Sequence, residues 1–206
     1  MSSIEQAFKN FEKNFQQARE LVGLYEALEK IVSEALDKSD LLRMSLVLIV
    51  SALDYYVHEV VKHGMVESYL GKRPKTDKFK KFSIPLDRFL HTNVADPVIV
   101  QEWLKDEIER QFGWRSFQKP DRISEALKYV KEGDPWSAVA TALSRQREGI
   151  IAHLNTIVDR RNRIVHEADV DPISRERCDI TKEDVKKSLE FVRKVVKALN
   201  DYINGA

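Results

Sequence analysis

The sequence predicts an all-α protein, an up-and-down helical bundle carrying an inserted segment of shorter helices. Apolar residues recur at helical spacing in four long segments. Only 7 Gly and 6 Pro punctuate 206 residues, which leaves little turn chemistry for a strand-rich fold. No segment alternates apolar and polar residues as a half-buried strand does, and no internal repeat stands out.

The first helix opens where Ser2 and Ser3 precede Glu5 and Gln6 at capping-box spacing. Its apolar positions are Ile4, Phe8, Phe11, Phe15, Leu21, Val22, Tyr25, Leu28, Ile31, Val32 and Leu36. Gly23 is tolerated inside it at about 1 kcal/mol relative to Ala. Ser39 or Asp40 caps the second helix, which Gly71 and Pro74 stop. Apolar residues surround nearly all of that helix, so it belongs at the centre of the bundle. Residues 71–83, GKRPKTDKFKKFS, read as a basic loop. Ser83 and Pro85 then start a short helix through Phe89 and Leu90.

Asp96–Pro97 is a cap followed by proline at the first helical position, opening a helix that ends near Gly113. The segment WRSFQKP leads to a helix over about 120–132, closed by Gly133. Asp134–Pro135 repeats the cap for a helix to about Ser144. After Gly149 the pattern resumes as IIAHLNTIVDRRNRIVHEA, and Asp171–Pro172 ends it. Thr181 with Asp184 opens the last helix, which carries Val185, Leu189, Val192, Val195, Val196, Leu199 and Ile203. The length fits one domain over 1–206, with 71–133 inserted between bundle helices.

Net charge is +1, so a nucleic-acid role would need local basic patches. A lone cysteine, Cys178, rules out an intramolecular disulfide and a cysteine-based zinc site. The charged N-terminus does not read as a signal peptide. The most apolar run, 41–61, contains Arg43, Asp54, His58 and Glu59 and reads as a buried core helix, not a membrane span. No membrane partner and a cytoplasmic location are expected.

The segment 159–169 concentrates the chemistry: three arginines, an amide, an imidazole and several acids near the end of an amphipathic helix. Asn162 and His166 are four apart and share a face, flanked by Arg163. Arg161 is five before His166, so on an ideal helix the two diverge. The long arginine arm, a distorted helix end or a second subunit would be needed to bring both to one substrate. Arg147 precedes His153 at a similar spacing, but His153 lies amid Ile150, Ile151 and Leu154 and reads as a core or boundary histidine.

RNRIVHEAD resembles the R-x(4–6)-H motif of the HEPN superfamily, with a polar residue directly after the arginine, and most of all the RiboL-PSP-HEPN class. LVLIVSALDYYVHEV resembles the corresponding second helix. The resemblance covers the bundle helices and fades over 71–133. It implies a dimer whose paired Arg–His groups form a ribonuclease site without metal or cofactor. It assigns Arg161 and His166 as catalytic and Asn162 as the residue positioning them. An antitoxin or nucleotidyltransferase partner, and a bacterial toxin, phage-defence or stress role, belong to the same expectation.

The physics agrees. RNA carries its own nucleophile, the 2′-hydroxyl. An imidazole can take or return that proton at neutral pH, and an arginine fork stabilises charge growing on phosphate oxygens. A 2′,3′-cyclic phosphate and a 5′-hydroxyl are the expected products.

Arg160, Arg163, Glu167 and Asp169 are candidate substrate contacts, as are Lys78, Lys80 and Lys81 in the basic loop. A solvated loop is the blander reading of those lysines. Trp114, Arg115, Phe117 and Lys119 either stack bases or, as the stronger expectation, use the two aromatics to anchor a loop. His58, Glu59 and Asp54 read as satisfied groups at the core edge, the alternative being that they support the motif, with the Asp54 acid orienting one of its arginines. Asp169 and Asp171 beside His166 match no metal-ligand spacing, so no metal is expected. A non-catalytic module that binds RNA, nucleotide or a partner protein is the alternative function, and a structural dimerisation protein the third.

Overall fold

A computed structural model describes residues 3–33, 36–90 and 97–205. The helices run α1 Ser3–Ile31, α2 Ser39–Tyr69, α3 Asp77–Lys80, α4 Leu86–Leu90, α5 Pro97–Phe112, α6 Pro120–Leu127, α7 Pro135–Leu143, α8 Arg147–His166 and α9 Lys182–Asn204. Among the described residues the only β pairing is one isolated bridge, Val170 with Arg177. The all-α expectation holds.

The second helix, α2, is the axis of the molecule, contacting α1, α5, α6, α8 and α9. Leu42, Ile49, Leu53, Tyr56, Val57, Val60 and Met65 are all buried, which its all-round apolar surface requires. It is the described helix long and apolar enough to cross a membrane, yet that surface is directed into the core. Against it α1 lays Ile4, Phe11, Phe15, Ala18 and Val22, a stripe at helical spacing. Each large apolar side chain so buried contributes roughly 1.5–3 kcal/mol. Phe11 meets Tyr56 edge-on at 6.1 Å, and the Tyr56 hydroxyl donates to Asn200 Oδ1 of α9 at 3.3 Å. Arg193 of α9 forks onto Glu12 of α1, which fixes the relative height of those two helices.

Residues 71–133 are not a peripheral excursion. Leu104, Ile108, Phe112, Phe117, Ile123 and Leu127 join the same buried cluster as the long helices. Gly64 of α2 lets Val130 come in close, since a Cβ there would lie 2.4 Å from a Val130 methyl. That contact accompanies one departure from expectation. Instead of running to about 132, α6 ends at Leu127 and the chain tightens into turns, with Val130 N donating to Leu127 O at 2.9 Å.

Other local expectations divide. Thr181 caps α9 by accepting from Asp184 N, and Asp134 caps α7 by accepting from Trp136 N. Neither Ser39 nor Asp40 caps α2; Asp37 instead accepts from Ser39 N at 2.8 Å. The stretch expected as a basic loop contains the one-turn α3, capped by Thr76. Leu36 lies beyond the end of α1 and is exposed. The expected caps at Ser2 and Asp96 fall outside the described residues.

Candidate active site

Ile150, Leu154, Ile157 and Val158 hold α8 to the core, which leaves its polar residues to face outward at the C-terminal end. There the helix closes on an unusual pair. Ala168 and Asp169 both adopt positive φ, 51° and 57°, a conformation that costs a non-glycine residue about 1–2 kcal/mol. What holds it is a buried charge cluster. Asp169, with no exposure, accepts from Arg43 Nε at 2.8 Å and from Arg160 Nη2 at 2.7 Å. Arg43 also donates to Cys178 O and Ser39 Oγ, and Arg160 to Asp179 O at 2.9 Å. Cys178 N closes the circle on Asp169 O at 2.8 Å. The start of α2, the end of α8 and the segment before α9 are thereby fastened together.

This arrangement corrects the placing of two expected substrate contacts. Asp169 is sealed from solvent, and Arg160 reaches inward to it. Sequence reasoning did not assign Arg43 a role, although a lone arginine in the apolar run 41–61 was the available signal.

Arg161, Asn162 and His166 face the other way. Together with Val158 they line a cleft of about 820 Å³. Arg161 and His166, five apart, both reach this cleft, and the side-chain partner of Arg161 is Asn162. Arg161 Nη1 donates to Asn162 Oδ1 at 3.1 Å, while its buried Nε has no acceptor among the described residues. His166 is exposed.

The opposite wall comes from the end of α5, the following loop and α6, including Trp114, Arg115, Phe117, Lys119, Arg122 and Tyr129. Four basic side chains, those of Arg115, Lys119, Arg122 and Arg161, line the cleft against one acid, Glu125. Lys119 pairs with Asp159 at 2.9 Å and Arg122 lies near Asp121 and Glu125, which leaves Arg115 and Arg161 as the cleft's cations without a carboxylate among the described residues.

The family model described as RiboL-PSP-HEPN matches residues 12–205. The chain belongs to that family. No match appears among curated proteins or among solved structures.

In this RiboL-PSP-HEPN chain the loop 113–119 hangs from α2. Asp54 accepts from Phe117 N at 2.6 Å and from Gln118 Nε2 at 3.2 Å, and His58 Nε2 lies 3.1 Å from Arg115 O. Asp54 therefore holds the facing loop rather than an arginine of the motif. His58 lies 4.5 Å from the Phe117 ring, centroid to centroid. Glu59 pairs with Lys62 and His63, and its hydrogen bond from His63, then Lys62, draws its carboxyl down to about 2.

The two loop aromatics part company: Phe117 is 5% exposed and anchors, whereas Trp114 is 78% exposed and does not. Lys78 pairs with Glu125 and sits 4.8 Å above the Tyr129 ring, at the rim of the cleft. Lys80 pairs with Asp77. Lys80, Lys81, Arg163 and Glu167 do not line the cleft. The alternative pair is occupied elsewhere: Arg147 binds Asp134 at 2.8 Å, and His153 stacks on Phe191 at 4.1 Å. Burial, with Arg145 nearby, pushes the His153 imidazole pKa down. Among the described residues no three His, Cys, Asp or Glu side chains converge as metal ligands would.

Proposed function

We propose that this RiboL-PSP-HEPN chain is a metal-independent endoribonuclease acting as a homodimer, in a toxin, phage-defence or stress-response setting. The observation that carries the reading is that Arg161, Asn162 and His166 open into one cleft with a basic and aromatic far wall. In the proposed reaction, a His166 imidazole takes the proton of the 2′-hydroxyl as its oxygen attacks the adjacent phosphorus. The bond from phosphorus to O5′ breaks, and O5′ receives a proton, leaving a 2′,3′-cyclic phosphate and a 5′-hydroxyl. Arg161, with its unpartnered Nε and its fork, stabilises the charge on the phosphate oxygens. Asn162 steadies Arg161.

One histidine per chain suits one proton transfer, so the second transfer falls to His166 of the partner subunit. Val165, half-exposed beside His166, and the almost fully exposed Ile173 supply apolar surface for that association.

The exposed His166 has no side-chain partner among the described residues, and that favours a second reading, a module that binds RNA without cutting it. One assay separates the two. Pure protein is incubated with total RNA in EDTA, and the new 5′ ends are mapped. Cleavage leaving 5′-hydroxyl ends, lost in His166→Ala, supports the enzyme. RNA bound but uncut supports the module.

A further inference from the structure

The three tryptophans are treated differently by the fold. Trp136 is buried and donates its indole N–H to Pro120 O at 2.9 Å, and Trp103 packs partly buried against the core. Trp114 alone stands in solvent, at the mouth of the cleft. Its backbone is nevertheless constrained. Gly113 before it brings the backbone so close that a Cβ would lie 2.6 Å from Glu109 O. Arg115 after it is tied through its carbonyl to His58, and its guanidinium sits 5.3 Å from the Trp114 ring and 5.1 Å from that of Phe112. A large flat apolar face thus stands on a constrained backbone, wet and flanked by positive charge, in the cleft that contains Arg161 and His166.

We infer that Trp114 is a nucleobase-stacking platform, so that the cleft selects single-stranded RNA, with an unpaired base on Trp114 and the neighbouring backbone near Arg161. This rests on the ribonuclease reading for what lies at Arg161. The ligand must be unpaired because the faces of bases within an A-form duplex are already stacked on their neighbours. Asn162, lining the same cleft with its Oδ1 taken by Arg161, keeps its amide N–H groups for the edge of such a base.

The test measures binding without cleavage, using a single-stranded 2′-O-methyl oligoribonucleotide that lacks the nucleophile, and its fully paired duplex. Stacking is worth about 1–3 kcal/mol per base, so Trp114→Ala should weaken single-strand binding roughly 5- to 150-fold. Trp114→Phe should keep most of the affinity, and duplex binding should not change between variants. Single-strand binding should quench tryptophan fluorescence in the wild type and much less in Trp114→Ala. Because Trp114 is exposed, folding should be untouched, and circular dichroism checks it.

Unchanged single-strand affinity in Trp114→Ala, equal losses on both ligands, or no binding of either would overturn the inference. So would a change in oligomeric state by light scattering, which would assign Trp114 to a subunit interface. Cleavage that persists unaltered in Trp114→Ala, with unchanged affinity, removes the platform and keeps the ribonuclease. Trp114-dependent binding by a protein that never cuts does the reverse.

Discussion

Replacing Asp169 by asparagine preserves its size and its tolerance of positive φ, and removes only the charge that Arg43 and Arg160 share. Two guanidinium groups then lose their shared buried anion, and Arg43, itself 4% exposed, keeps as an anion only the exposed Asp40 at 3.7 Å. Breaking a buried pair in this way costs about 3–5 kcal/mol, so the urea midpoint of Asp169→Asn should fall steeply, whatever happens to activity. Across the helix the expectation is opposite. His166→Ala should fold normally and lose on the order of 10²–10⁴-fold in cleavage rate, the contribution of proton transfer. Arg161→Lys keeps charge but not the planar fork and should be damaged rather than rescued. Arg147→Ala with His153→Ala is the control, expected to move stability more than rate.

The difference between these neighbours shows what the sequence carries. Arg161, Asn162 and His166 could be singled out as a set from their spacing and family resemblance. That Arg160 turns inward while Arg161 turns out depends on Asp169, whose buried carboxylate is also held by Arg43. That residue is more than a hundred positions away, and no local pattern announces the pairing.

Elements were more legible than side-chain directions, because a period of 3.6 apolar residues is written along each long helix. Their ends were less so where tertiary contacts decide them. The early end of α6 accompanies the insertion of Val130 beside Gly64, a meeting of segments distant in sequence. Gly64→Ala tests it. Its methyl would intrude on both Val130 methyls, and overpacking of this kind costs about 1–3 kcal/mol, readable as a lower melting temperature. Val130→Ala, by opening room, should offset part of that loss when combined with it.

A second element-scale prediction concerns acid. The Glu59 carboxyl titrates at about 2 in the fold against 4.5 for the free group, so the unfolded chain takes up the proton first. Its stabilisation is present above about pH 4.5 and disappears as the pH falls towards 2. Glu59→Gln should therefore flatten the pH dependence of urea unfolding within that window, and leave it unaltered around neutrality.

At the scale of the molecule, the proposed site is completed by a second copy. Light scattering at tens of micromolar should report a dimer, and a stable monomer would count strongly against the composite site. Mixing Arg161→Ala with His166→Ala chains distinguishes two assemblies. If each site draws arginine from one chain and histidine from the other, heterodimers regain one intact site and part of the activity. If each needs both groups from both chains, no activity returns. Fold class was readable at this scale too, and so was the segment of shorter helices over 71–133, but not its share in the core. Its short helices lack a long period, and their contribution appears only once α5 and α6 lie on α2.

That contribution has a consequence for how the protein can change. The proposed reacting groups stand on one helix, riveted in place by Asp169, while the facing wall is a short loop suspended from α2 by Asp54 and His58. The core joins the two, and a direct tie between them, Lys119 to Asp159 at 2.9 Å, is solvent-exposed and worth about 0–1 kcal/mol. On the proposed ribonuclease reading, sequence drift in residues 113–119 can thus alter which RNA is gripped without disturbing how it is cut. A library randomised at those positions, with Gly113 and Phe117 retained, should yield variants of altered preference and undiminished stability.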